Sequence, residues 1–195
     1  MHGHFHFDSG SLALDFLNAA TGGGGAEARS TASPDALLAW LNQARLTDGT
    51  TDQRDGSPPQ LRTLLGEATR LVGSVEAAVS AVKRGQPLPA PDLLALNRVL
   101  EARSSSTRAV SGPGGLVLVE EVHLSDVRGL LAPVAESAVQ LLTGADPARL
   151  RRCRAEDCLA WFLDTSKNGR RKWCSMSRCG NRAKVAAHYR RSQGA

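Results

Sequence analysis

Four cysteines in the last quarter of the chain carry its clearest chemistry. They follow the spacing Cys153-x4-Cys158-x15-Cys174-x4-Cys179, and they are the only cysteines among the 195 residues. Four thiolates bind one tetrahedral Zn²⁺ when two short loops each bring two sulfur atoms to about 2.3 Å from a common point, and four-residue separations suit such loops. The spacing therefore predicts one structural zinc ion held by these four residues.

Disulfide bonds and redox chemistry are the alternative uses of these thiols. Residues 1–18 lack a basic segment followed by an unbroken apolar run, so we expect no secretory signal and a cytoplasmic chain with reduced thiols. A redox pair usually shows the tighter Cys-x-x-Cys spacing, which the sequence lacks. Zinc is the favoured interpretation, and buried or redox-active thiols stay open as alternatives.

The cysteines lie in the most basic part of the chain. Residues 149–195 contain 13 Lys and Arg against 3 Asp and Glu, which leaves 11 against 16 for residues 1–148 and gives the total of +5. An acidic body joined to a basic tail predicts a polyanionic partner, and nucleic acid is the leading candidate. No segment approaches the ~18 apolar residues of a membrane span, so no membrane partner is expected.

A helix predicted from Gly180 to about Arg191 would present many of these basic side chains. On a helical wheel one face carries Asn181, Lys184, His188 and Arg191, with Val185 and Tyr189 beside it. Lys and Arg can read guanine and Asn can read adenine, although the same side chains also bind phosphates or face water. The remaining predicted DNA contacts, all to the phosphate backbone, are Arg170, Arg171, Lys172, Arg178, Arg182 and Arg190.

The elements that position the cysteines can be predicted in chain order. Asp146-Pro147 is typical of a helix start, so a short helix is expected over 148–152. A hairpin is expected next, with strands over 159–163 and 170–173 joined by a turn at Asn168-Gly169. With Cys179 in the first turn of the last helix, the module resembles a treble-clef-like zinc finger that needs its metal to fold. Its aromatic residues are interpreted as a small core, with base stacking as the alternative: Trp161, Phe162 and Trp173.

The first 145 residues predict a mainly helical α+β domain with a small sheet. Apolar residues recur at helical spacing, and strand patterns fall at the N-terminus and over 116–124, which are expected to pair. Helices are expected over residues 11–18, 61–85, 93–100 and 133–143, and a further helix is expected to start at Ser33-Pro34. Loops are expected over residues 22–25, 48–60 and 104–115.

Catalytic motifs are missing from the sequence of this domain. It has no glycine-rich phosphate loop, no nucleophile elbow and no His-Glu-x-x-His, so we expect no enzyme. His2, His4 and His6 could form a metal site, but one polar face of a strand is the favoured interpretation. His123 is interpreted as a strand-face or core histidine rather than a base.

Several strings resemble known families. Cys153-x4-Cys158, Phe162 to Ser166, Trp173 to Met176 and above all Cys179-Gly180-Asn181-Arg182 resemble the CGNR zinc finger over about 40 residues. Segments from Phe5 to Asn18 and from Asp35 to Leu46 resemble the start of the ABATE domain, although Asn18-Ala19 stands where that family has Asn-Thr. The resemblance implies a bacterial transcription regulator associated with the nucleoid. Residues 146–195 would bind double-stranded DNA, and residues 1–145 would sense a small-molecule or stress signal.

Some expectations stay open at this stage. Asp15 and Asn18 are the candidates for an effector pocket, and the alternative is that they cap a helix or fix a turn. An RNA-binding module with Trp161 or Trp173 exposed, and a protein-interaction finger with an apolar patch, are the other functions considered. A homodimer is a further expectation, because regulators often bind two half-sites.

Overall fold

The computed structural model describes residues 5–23, 29–47 and 57–193 of the chain. A 3-10 helix covers Val127–Leu131, and a π-helical turn, Met176–Gly180, leads into the last helix. The other elements are α1 (Leu12–Thr21), α2 (Pro34–Gln43), α3 (Pro58–Arg84), α4 (Ala90–Leu100), β1 (Arg103–Gly112), β2 (Gly115–Leu124), α5 (Ala132–Gly144), β3 (Leu150–Arg152), β4 (Trp161–Leu163) and α6 (Asn181–Gln193). The fold is α+β, with a mainly helical N-terminal domain and a treble-clef-like C-terminal finger, as predicted.

Local signals in the sequence set the ends of the helices. The Ser33 hydroxyl accepts a hydrogen bond from the Ala36 amide at 3.2 Å, which caps the start of α2. The main-chain amide of Ser57 donates to the Gln60 side chain at 2.9 Å at the start of α3. That helix ends at Gly85, whose φ of 62° lies in the left-handed region that glycine favours.

The core of the N-terminal domain forms around α3. One face of this helix buries residues at helical spacing, and α1, α2, α4 and α5 pack around it. Trp40 of α2 is fully buried and meets Phe16 of α1 edge-on, with 4.8 Å between ring centroids. The buried row of α3 is Leu64, Ala68, Leu71, Val75 and Val79.

The larger sheet is a two-stranded hairpin that differs from the prediction. Strand β2 pairs with β1, from Arg103↔Leu124 to Gly112↔Gly115, whereas 104–115 was expected to be a loop. The predicted pairing of this strand with an N-terminal strand is wrong for the described residues, since residues 5–7 form no strand. His2 and His4 of the predicted polar strand face lie outside the described residues. Strand β1 shows no apolar alternation because it is exposed on both faces, so its sequence lacks the usual signal.

The finger also pairs its strands differently from the prediction. Strand β3 replaces the helix expected over 148–152 and pairs with β4, while residues 170–173 return without strand structure. The reason is the side chain of Leu150, which is fully buried with Leu14, Val79 and Leu141 of the N-terminal domain. Burial of this leucine favours the extended chain that reaches β4.

The finger and the N-terminal domain meet at a junction formed by Ser9, Gly10, Asn18, Trp161 and Leu163. The Asn18 side chain donates to the Trp161 carbonyl and accepts from the Trp161 amide, each at 2.8 Å. The Leu163 amide donates to the Ser9 carbonyl at 2.7 Å. Gly10 has φ of 88°, and a Cβ there would lie 3.1 Å from the Leu163 carbonyl oxygen, so glycine is required for this approach.

Candidate metal centre and nucleic-acid interface

Two loops of the finger bring the four cysteines together. Cys153 follows β3, and its amide donates to the Ala160 carbonyl at 2.9 Å, which closes the loop that also carries Cys158. Cys174 follows the turn at Asn168-Gly169, and Cys179 lies in the π-helical turn before α6. All four side chains are buried. The structure thus unites residues that lie up to 26 positions apart in the sequence.

The sulfur atoms are arranged as a tetrahedral zinc site requires. All four Sγ atoms lie within 4.8 Å of one another, and Cys174 Sγ lies 3.7 Å from Cys158 Sγ and 3.6 Å from Cys179 Sγ. Four sulfurs at about 2.3 Å from a central ion would be separated by about 3.8 Å. A disulfide would need a separation of about 2.05 Å, so the thiols are free, not bridged. The residues fit one structural Zn²⁺, and the predicted ligand set is confirmed.

Two hydrogen-bond donors face the sulfur atoms of the cysteines. The Cys174 amide donates to Cys153 Sγ at 3.5 Å, and the Arg182 guanidinium lies 3.5 Å from Cys179 Sγ. Without metal, burial raises the pKa of the Cys174 thiol and raises the pKa of Cys179 to about 11. These thiols are therefore protonated at neutral pH in the metal-free protein, and zinc binding displaces their protons.

Gly180 of the Cys-Gly-Asn-Arg string is closely packed. A Cβ at this position would lie 2.5 Å from Met176 Sδ and 3.2 Å from Trp173 Cδ1. Trp173 packs against the cysteine cluster, and Phe162 is fully buried within it. Trp161 packs against the buried clusters of the N-terminal domain. The predicted role in the finger's small core is confirmed for Phe162 and Trp173, whereas Trp161 packs toward the N-terminal domain instead.

Arg171, predicted to bind DNA phosphates, lies inside the finger's scaffold. Its guanidinium lies over the Phe162 ring at 4.8 Å and donates to the Trp173 carbonyl at 2.8 Å and to the Cys174 carbonyl. The same group donates to the Asp8 carbonyl of the N-terminal domain at 2.8 Å. Because all of these partners lie within the protein, the Arg171 side chain stabilises the zinc loop and is not an open surface group.

Asp164 is a structural residue that the sequence reasoning missed. Its side chain is fully buried and accepts hydrogen bonds from the amides of Ser166 at 3.0 Å and Arg171 at 2.9 Å. Burial acts to raise the pKa of this carboxyl, but these hydrogen bonds and nearby Arg151 hold it below its usual value. The string Asp164-Thr165-Ser166 is typical of a turn closed by an aspartate side chain, which was the available signal.

Arg178 is the second predicted DNA-binding residue whose side chain has a partner within the protein. It forms an ion pair with Asp8 at 2.8 Å, and its side chain is largely covered. Asp8 precedes α1, so this ion pair joins the start of the N-terminal domain to the turn that carries Cys179. Arg171 and Arg178 together attach the zinc loop to that domain.

The other predicted DNA-binding residues have exposed side chains, although the Arg182 guanidinium also contacts Cys179 Sγ. Arg170 and Lys172 are exposed on the segment that returns to Cys174. From Asn181 to Ser192, the residues of α6 are exposed except Ala183 and Ala187, which are half-buried. Val185 and Tyr189, which the wheel placed beside the reading face, are 66% and 63% exposed. The exposed predicted residues of α6 are Asn181, Arg182, Lys184, His188, Arg190 and Arg191.

Asn18 belongs to the junction and Asp15 lies beside it, and among the described residues the two line one small cavity. The Asp15 carboxylate accepts from the Ser9 amide at 3.0 Å, and Asn18 is paired with the Trp161 main chain. Both residues line a cavity of only about 10 Å³, enough for one water molecule. Burial raises the pKa of Asp15 to about 6. The hydrogen bonds of both residues support the alternative, a role in fixing local structure, and an effector pocket stays a prediction.

Comparisons with protein families support the two-part organisation. The family model of the CGNR zinc finger matches residues 149–192, and the ABATE model, described as "Putative stress-induced transcription regulator", matches residues 10–145. No curated protein matches the chain. Across the described ranges, no helix is long and apolar enough to cross a membrane.

Proposed function

Because the chain belongs to the ABATE family and carries a CGNR zinc finger, we propose that it is a zinc-dependent transcription regulator whose finger binds duplex DNA. In this proposal residues 146–195 form the DNA-binding unit and residues 1–145 form the regulatory unit. Zinc acts as a structural ion that holds the start of α6 in place. We assign the chain no catalytic reaction.

The observation that carries the proposal is the exposed basic surface of α6. Residues 176–193 include no Asp or Glu, and all the Lys and Arg side chains of α6 are exposed. A 13-residue helix is about 20 Å long and 10–12 Å wide with its side chains. The major groove of B-DNA is about 12 Å wide, so it admits such a helix.

The distribution of charge gives the protein a preferred orientation toward DNA. Residues 1–148 carry a net charge of −5 and residues 149–195 a net charge of +10. A polyanion attracts the finger and repels the N-terminal domain. The junction fixes the finger on that domain, so α6 approaches DNA in one orientation.

An RNA-binding module is less well supported by the structure. That alternative expected Trp161 or Trp173 to be exposed for base stacking, but both are packed against buried clusters. A protein-interaction finger, a homodimer and a small-molecule effector stay predictions. DNA binding would place the chain in the cytoplasm, in association with the nucleoid.

The first test is the selection of bound duplexes from a random pool by the full-length, zinc-loaded protein, repeated after chelation. We expect a defined motif only with zinc. Arg191→Ala should then reduce the slope of log binding constant against log salt by about 1, because one phosphate contact is lost. The matched control is Arg62→Ala, which removes an exposed arginine from α3 and should leave the slope unchanged.

Two results would contradict the proposal. One is the absence of salt-sensitive binding of the zinc-loaded protein to any duplex. The other is tighter binding to single-stranded RNA than to the selected duplex under the same salt conditions, which would favour the RNA-binding alternative.

A further inference from the structure

The exposed side of α6 has two large apolar or aromatic side chains, Val185 and Tyr189, near its centre. Ala183 and Ala187 are the half-buried positions and mark the side that packs on the finger. Successive residues of a helix are rotated by 100°, so the opposite side is centred on Val185, with Asn181 and Tyr189 one turn away on either side. These last three residues are called the central strip.

Basic side chains lie mainly along one side of the central strip. His188, Lys184 and Arg191 form this row. Arg182 and Arg190 instead line a groove of the finger together with Glu156 and Asp157. The row can contact one of the phosphate strands that border a DNA groove while the strip faces the bases.

The exposure of the strip indicates a surface that a partner covers. Val185 and Tyr189 are 66% and 63% exposed, although the side of the helix that packs on the finger carries only alanines. A protein partner would have to meet the same basic side chains with acidic groups, whereas duplex DNA supplies phosphates and an apolar surface in the same groove. That apolar surface consists of the C5-methyl groups of thymine in the major groove.

The start of the strip has a base-reading group in a fixed position. The Asn181 side chain donates to the Ser177 carbonyl at 3.1 Å, which holds the amide against the first turn of the helix. Asparagine is the residue type that pairs with the major-groove edge of adenine. Asn181 and Val185 are four residues apart, so they can contact neighbouring base pairs along the groove.

We propose that the central strip reads A·T base pairs, with Val185 and Tyr189 contacting thymine methyl groups and Asn181 contacting adenine. The inference rests on the proposed DNA binding and adds to it the base class and the residues that determine specificity. Two of these residues, Val185 and Tyr189, are apolar or aromatic and were not among the predicted DNA contacts.

The experiment uses the full-length, zinc-loaded protein and its selected duplex. Each thymine of the motif is replaced in turn by uracil, which removes only the C5-methyl group. We expect at least one replacement to weaken binding severalfold. Val185→Ala should weaken binding to the thymine duplex by about tenfold, since it removes two buried methyl groups. The variant should also bind the thymine and uracil duplexes with equal affinity at one position of the motif.

Controls separate base reading from other effects. Val122→Ala removes an exposed valine from β2 and should change neither affinity nor the response to uracil. The Val185→Ala variant should keep the wild-type salt slope, because it removes no charge. Unchanged thermal unfolding will confirm that the exposed position does not affect folding.

The outcomes distinguish the two proposals. If the wild-type protein binds no duplex in a salt-sensitive way, the proposed function is wrong and the base-reading strip is wrong with it. If the protein binds DNA but its motif lacks A·T pairs, or Val185→Ala keeps the full response to uracil, only the base-reading strip is wrong.

Discussion

The side-chain amide of Asn18 pairs with both main-chain polar groups of Trp161, at 2.8 Å in each direction. Asn18 lies in α1 of the N-terminal domain and Trp161 begins β4 of the finger. The amide thus acts as a neighbouring strand would, because it offers one donor and one acceptor to the same residue. This pairing fixes the position of the finger, and hence of α6, on the domain.

Replacing Asn18 by Ala should weaken the junction. The Trp161 amide and carbonyl would both lose their partner, and each loss in a partly buried site costs about 1 kcal/mol or more. We expect the unfolding temperature to fall by roughly 4–8 °C for a protein of this size, measured by calorimetry of the zinc-loaded protein. Asn97→Ala, at an exposed position of α4, is the control. Equal unfolding temperatures for the two variants would show that the pairing contributes nothing.

Removal of zinc should destabilise the whole chain. From the sequence alone, Cys174→Ser is expected to unfold the tail and abolish DNA binding while the N-terminal domain stays folded. The structure favours one cooperative unit, because Leu150 of the finger shares a buried cluster with Leu14 and Val79 of the domain. We therefore predict a single calorimetric transition that moves as a whole to lower temperature in Cys174→Ser or after chelation. A separate domain transition at its original temperature would support independent units.

Arg171 and Arg170 should differ in effect although they are adjacent. Arg171→Ala removes a ring contact and several hydrogen bonds to carbonyl groups, so we expect a loss of about 2–3 kcal/mol in the free energy of unfolding. Arg170→Ala changes an exposed side chain and should alter stability by less than about 0.5 kcal/mol. Denaturant titration measures both. Equal stability with equally weakened DNA binding would return Arg171 to its predicted role as a phosphate contact.

The buried carboxyl of Asp15 should make stability depend on pH. Burial raises its pKa from 3.8 to about 6, and nearby Asp8 adds to the increase while hydrogen bonds from Ser9 oppose it. Between these values the folded protein binds more protons than the unfolded chain, so its stability falls as pH rises. The difference of about 2.2 pKa units corresponds to about 3 kcal/mol above pH 6.

The Asp15→Asn variant isolates this effect, because its amide oxygen can still accept from the Ser9 amide. We expect the free energy of unfolding of the wild type, relative to that of the variant at each pH, to fall from about pH 4 to pH 6 and then level off. Asp35→Asn, at an exposed position of α2, is the control. Its free energy of unfolding should differ from that of the wild type by the same amount at every pH. If the difference for Asp15→Asn is also independent of pH, the Asp15 carboxyl of the wild type has an ordinary pKa.

Elements with strong local signals could be predicted from the sequence. The helix beginning at Ser33-Pro34 and the end of α3 at Gly85 follow from capping chemistry, which acts within one turn. Strand β1 could not be predicted, because its serines and threonines face solvent on both sides of the hairpin and leave no apolar pattern. The same limit applies to β3, where burial of Leu150 against a distant part of the chain favoured a strand.

The sequence by itself determined the metal, its four ligands, the division of charge and the basic last helix, because these depend on residue types and short spacings. Only the tertiary structure decided which basic side chains remain exposed. Arg171 and Arg178 are as basic as Arg190, but they bind groups of the N-terminal domain that lie about 160 or more positions earlier in the chain. Spacing in the sequence carries no information on such contacts, since they form only when separate elements pack together.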